Sequence, residues 1–164
     1  MQISPALKGI IISVLMIGLI LYIYSFGKNA NPNLQYFVYI TYAIGIVWAL
    51  VSFRKTAACT GRYGNLFSHG FKFFIIVTLF MTIFYWIFNN AHPEFKETMA
   101  TAYKEQLDKK VVNNEMLPTE VDDAVAAYKK QYTLRLVSGA IFGYLIMGVA
   151  VTAFISVFLI KRKK

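Results

Sequence analysis

A chain of 164 residues that is 57% hydrophobic and 15% charged, with a mean hydropathy of +0.52, carries more apolar sequence than a soluble core needs; soluble domains run at about 45–50% apolar and about 25% charged. The net charge of +9 does not indicate nucleic acid, because the basic residues flank apolar runs instead of clustering with aromatics on a polar surface. A single cysteine, Cys59, excludes a disulfide framework within the chain.

The first apolar run, Gly9 to Gly27, lies between Lys8 and Lys28. It is longer than the ~7–15-residue core of a secretory signal peptide, and "SFGKNA" is a poor cleavage site, so it reads as a retained helix. The second run, Tyr36 to Phe53, ends at Arg54. The third, Phe73 to Phe88, follows Lys72 and stays uncharged to Pro93. The fourth, Leu136 to Ile160, lies between Arg135 and Lys161. Each has about the ~20 residues that cross a ~30 Å hydrocarbon core, and lipid offers a backbone no hydrogen-bond partners, so each is predicted to be helical. Helices of a soluble bundle would carry a charged outer face, and none of these runs has one. The predicted fold class is an all-α membrane protein in a single domain, with transmembrane helices at 9–27, 36–53, 73–91 and 136–160 and an extracytoplasmic helical segment at 92–132.

Every Asp and Glu of the chain falls between Glu94 and Asp123. Residues 92–132 hold eight acids and six lysines, while the remainder holds eleven basic residues and no acid. Short loops rich in Lys and Arg stay in the cytoplasm. Arg54, Lys55, Arg62 and the "KRKK" tail therefore predict both termini and the second loop inside, with "GKNANPNLQ" and residues 92–132 outside. Tyr22, Tyr24, Tyr36, Tyr39, Tyr85, Trp86 and Tyr132 then fall at the outer interface, a level that Tyr and Trp favour.

Within the exterior segment, Pro93 with Glu94 and Glu97 suits a helix start, and Lys109 with Lys110 suits its end. Phe95, Met99, Ala102, Gln106 and Lys110 trace one side, which Tyr103 and Leu107 widen. "VNNEMLP" breaks this helix. Thr119 with Asp122 resembles a capping box opening a second one, whose apolar stripe is Val121, Val125, Tyr128 and Tyr132. No breaker separates that helix from the fourth crossing. The segment reads either as a hairpin resting on the membrane or its own bundle, or as a docking surface for an extracytoplasmic protein.

Signs of chemistry are sparse. His69 and His92 fall at opposite ends of the third crossing, and neither has a second ligand at helical spacing; each reads as an interfacial side chain. "TGRYGNLFSHG" lacks the Lys-Ser/Thr of a phosphate loop and reads as a turn. No metal ligand set, cofactor motif or catalytic residue is expected, and no charge lies inside a span, where proton and ion paths usually need one. Gly139 and Gly143 form a small-xxx-small pair that lets backbones approach closely. They are the predicted helix-packing residues, against another helix of the chain or, as the alternative, against a second copy.

The basic turn "FRKTAACTGRYGNLFSHGFKFF", the apolar run after it and the following "HPEF" resemble a bacterial family of four-crossing membrane proteins catalogued as domain of unknown function 4199. The resemblance implies four transmembrane helices with a polar segment before the last, in the inner membrane of Gram-negative bacteria, and it carries no activity and no site residues. The function expected is that of a small, non-catalytic integral membrane protein, an accessory or assembly subunit. The alternative is a transporter or channel subunit acting as an oligomer. The partners expected are the lipid bilayer, a protein on the exterior helices and further copies of the chain.

Overall fold

The structure, a computed structural model, describes residues 3–25, 34–113 and 117–160. The first connection around Lys28 and the basic tail lie outside the described residues. The protein is an all-α membrane protein. Its five helices are α1 (Pro5–Ser25), α2 (Leu34–Arg54), α3 (Tyr63–Ala91), α4 (Pro93–Val112) and α5 (Pro118–Leu159), and no strand occurs among the described residues. All but α4 are long and apolar enough to cross a membrane. The chain divides into two compact units, one running to Met81 and resuming at Ile141, the other spanning Thr82–Ala140.

The first unit contains α1, α2, the first two-thirds of α3 and the last half of α5. Its outward surface is apolar, with Val14, Leu15, Ile44, Leu79, Phe154 and Phe158 all exposed. The buried side mixes large apolar groups with small and hydroxylated ones: Met16, Tyr42, Ile46, Phe73 and Phe74 beside Ser13, Thr78, Thr152 and Ser156. That inversion suits a lipid solvent, in which helices associate by close packing and hydrogen bonds instead of by hiding apolar surface. Ser13 and Thr78 donate to carbonyls one turn back, at 2.8 Å to Gly9 and 2.9 Å to Phe74. Tyr42 reaches across to another helix, donating to the Tyr144 carbonyl at 3.0 Å and meeting the Tyr144 ring edge-on at 5.5 Å.

Each spanning helix brings one glycine to a crossing. A methyl group added at Gly45 would sit 2.8 Å from Ile12, one at Gly70 2.4 Å from Thr152, and one at Gly148 2.6 Å from the Tyr42 hydroxyl. At Gly9 the same group would lie 3.1 Å from Ile76 and from the Phe73 carbonyl. The close approaches link α3 to α1, α2 and α5, so α3 is the hub of this unit.

The turn between α2 and α3 is tight. Thr56 and Cys59 close successive backbone turns onto Phe53 and Thr56 at 2.9 and 3.2 Å, and Gly61 takes a left-handed conformation at φ 73°, which a side chain would resist. Thr60 then donates its N–H to Asn65 at 2.9 Å. The helix starts at Tyr63, so the stretch read as a turn is helical from there through Gly70, and the turn itself is confined to Lys55–Arg62.

The second unit pairs α4 with the first half of α5. Tyr103 stacks on Tyr128 at 4.6 Å, worth about 0.5–1.5 kcal/mol beyond area burial. Lys129–Glu97 at 2.5 Å and Lys104–Asp122 at 3.3 Å flank it; exposed pairs of this kind contribute roughly 0–1 kcal/mol each. The enclosed side chains are Ala100, Leu107, Val121 and Tyr132. The α5 stripe is as expected, with Val125 and Tyr128 half-buried between Val121 and Tyr132. On α4 the contact face is rotated: Met99, Ala102, Gln106 and Lys110 are exposed, and Ala100, Tyr103 and Leu107 face inward. Tyr132 is likewise enclosed instead of lying open at an interface. The cap of α5 also differs from expectation, since the Glu120 carboxylate takes the N–H of Leu117 at 2.8 Å, two residues ahead of the Thr119–Asp122 pair. From there α5 runs 42 residues without a break, about 63 Å at 1.5 Å per residue.

Candidate functional site

At the end of the first unit that carries the basic turn, a cleft of about 390 Å³ opens between α1, α2 and α3. Ile3 and Ser4 ahead of α1 and Pro5 and Lys8 in its first turn line one side, the last turns of α2 supply Trp48, Ser52 and Phe53, the tight turn supplies Thr56 and Ala58, and α3 supplies His69.

Lys8 is the unusual member. Only 6% of it is exposed, yet this unit contains no Asp or Glu. A buried cation is costly unless paired or hydrogen-bonded. Its ammonium donates to the Ser52 hydroxyl and lies 5.4 Å from the Trp48 ring centroid, a cation–π distance. Ser52 is set up to accept, because its own hydrogen is directed to the backbone carbonyls of Trp48 at 2.6 Å and Ala49 at 3.1 Å. An ammonium has three N–H donors, and Ser52 takes one. Across the cleft the His69 ring lies flat on Phe53, 3.8 Å between centroids and 11° from parallel. Its Nε2 is enclosed and finds no hydrogen-bond partner among the described residues. Thr56 is held by its own turn, donating to the Phe53 carbonyl at 2.8 Å.

The residues singled out by sequence fall elsewhere. No described atom beyond the helix's own backbone and chain neighbours lies within 4 Å of a methyl group built on Gly139 or Gly143, and both glycines are exposed. Among the described residues the pair has no packing partner; the glycines that mediate crossings there are Gly9, Gly45, Gly70 and Gly148. His92 precedes α4 and sits 2.8 Å from Glu94. Among the described residues, no three His, Cys, Asp or Glu side chains gather as metal ligands. Cys59 is buried.

By sequence alone Lys8 reads as one more cation flanking a span. The signal that could have separated it is its register: Lys8, Ile12 and Met16 follow at helical spacing beside Gly9 and Ser13, so Lys8 lies on the packed stripe of α1.

Fold and charge together define a four-span, all-α membrane protein with a polar two-helix segment ahead of the last span. The chain belongs to the family described as protein of unknown function (DUF4199), whose family model matches residues 7–161. No curated protein and no solved structure matches the chain significantly.

Proposed function

We propose that the chain is a non-catalytic accessory or assembly subunit of a bacterial inner membrane, with both termini cytoplasmic and residues 92–132 outside. The observation that carries this reading is the filled interior of the membrane-spanning unit. Tyr42, Phe73, Phe74, Met16, Ile46, Leu50 and Met81 are fully enclosed, and a glycine at each crossing brings the helices into direct contact. Such packing favours a rigid scaffold over a conduit. The exterior helices then provide the surface on which a protein partner docks. The orientation rests on charge: the Arg54, Lys55 and Arg62 turn is basic, whereas every carboxylate of the chain lies in the 92–132 segment.

The second reading, a transporter or channel subunit working as an oligomer, draws on Thr152 and Ser156. Their hydroxyls are fully buried and have no partner among the described residues, and polar groups inside a bundle can line a path. Proteoliposomes separate the two. The purified chain is expected to give ion and small-solute flux indistinguishable from empty vesicles. Flux that scales with protein content and is altered by Thr152→Val with Ser156→Ala would replace the scaffold reading with the transport one.

A further inference from the structure

We propose that the cleft beside Lys8 is a binding site for a phosphate oxyanion, carried by a lipid headgroup or by free phosphate. The first support is electrostatic. Lys8 is more than nine-tenths buried in a unit with ten basic residues and no acid, so its charge has no carboxylate to neutralise it. A hydroxyl and an aromatic face solvate it only in part, and a buried charge ordinarily finds a counter-ion. The second support is donor supply. Two ammonium hydrogens of Lys8 remain after Ser52. The third is the helix end. The residues that open α1 form one wall of the cleft, and the helix dipole favours an anion there; Pro5 has no N–H and those of Leu7 and Lys8 are taken by Ser4, so this support is the dipole alone. The fourth is size and lining. About 390 Å³ falls within the usual range of ligand sites, mostly apolar with a few convergent polar groups. The half-exposed Trp48 and Ile3 give the rim an apolar edge, suited to the glycerol and upper acyl carbons of a phospholipid. Arg54 and Lys55 are exposed at the same end of the unit, and a positive surface raises the local concentration of anions.

Phosphate is the chemistry that matches a buried cation without a carboxylate partner beside a helix end, and the two sources differ in what surrounds it. Binding here is independent of the accessory role proposed above.

The test uses the full chain, purified in a neutral detergent and stripped of lipid, with Tm as the readout. Three probes are compared at constant ionic strength: inorganic phosphate against chloride, phosphatidic acid in mixed micelles, and diacylglycerol as a phosphate-free lipid. At about a hundredfold excess over Kd the Tm is expected to rise by roughly 5–10 °C with a phosphate-bearing probe, and not with diacylglycerol. A rise with phosphatidic acid alone assigns the site to a headgroup, a rise with inorganic phosphate alone to the free ion, and a rise with both to either source. Lys8→Met is expected to abolish the rise and Lys110→Met, at an exposed position on α4 outside this unit, to leave it. Ala58→Trp, at an exposed position on the cleft wall, fills the space while Lys8 stays in place, and it too is expected to abolish the rise, which covers the case of a Lys8→Met chain that fails to fold. No rise with either phosphate probe, an equal rise with diacylglycerol, or a full rise surviving Ala58→Trp would overturn the proposal.

Discussion

Gly148→Leu is expected to prevent the membrane-spanning unit from reaching its folded form in detergent, whereas Gly143→Leu is expected to leave the monomer within about 0.5 kcal/mol of wild type. The contrast follows from what each position meets. A methyl group at Gly148 would lie 2.6 Å from the Tyr42 hydroxyl and 2.7 Å from Phe74. Neither can retreat, since both side chains are fully enclosed, and Tyr42 is held by its bond to the Tyr144 carbonyl at 3.0 Å. Overpacking by a single methyl costs about 1–3 kcal/mol, and breaking the Tyr42 bond adds about 1 kcal/mol. Leucine adds three further carbons to the same space. Gly143 has open surroundings, so the same substitution has nothing to displace. Thermal unfolding of the solubilised monomer checks both. Equal losses at the two positions would contradict the packing described. An intact monomer that loses a pre-existing oligomer on Gly143→Leu would place that glycine face between copies.

Leu107→Asp is expected to detach α4 from the first half of α5 while the spanning unit stays folded. Leu107 is 5% exposed, and deleting a buried leucine costs about 2–5 kcal/mol before the charge is counted. The carboxylate then adds the desolvation penalty of an unpaired ion. The opposing interactions, one tyrosine stack and two exposed ion pairs, are too small to compensate. Trypsin cleavage after Lys104, Lys109 or Lys110 is expected to accelerate at least tenfold, with thermal unfolding of the spanning unit unchanged. Met99→Asp, at an exposed position, is expected to leave cleavage near the wild-type rate. Unchanged protease resistance in Leu107→Asp would contradict the α4–α5 pairing.

The spans were legible because lipid permits no charge over about twenty residues, so each appears as an uncharged run. Their faces were not. A soluble helix announces its buried side by apolar periodicity, but here Val14 and Phe154 outside are as apolar as Met16 and Phe74 inside. What marks the inside is small or hydroxylated residues, such as Ser13, Thr78 and Thr152, and these also occur on open faces. Gly139 and Gly143 have the spacing of a packing motif without a partner helix among the described residues, while Gly148 mediates a crossing within an equally spaced Gly148, Thr152 and Ser156 row and Gly70 mediates one with no such row. The start of α3 was obscured by Arg62, Asn65, Ser68 and His69, whose polarity suits a turn; Gly61 and the Asn65 cap end that turn early. On α4 the low contrast between apolar and polar positions rotated the expected face by about one residue. Lys8 was hidden because a cation next to a span normally marks an interface, and only tertiary packing encloses it.

In this topology α3 is expected to cross the membrane and separate the basic turn from the acidic segment. Impermeant maleimide labelling of intact cells tests it, with single cysteines at Lys55 and Thr101, both exposed, in a chain whose Cys59 is replaced by alanine. Labelling is expected for Thr101→Cys in intact cells and for Lys55→Cys only after permeabilisation. The reverse pattern would overturn the orientation alone, and labelling of both positions from one side would contradict the span itself.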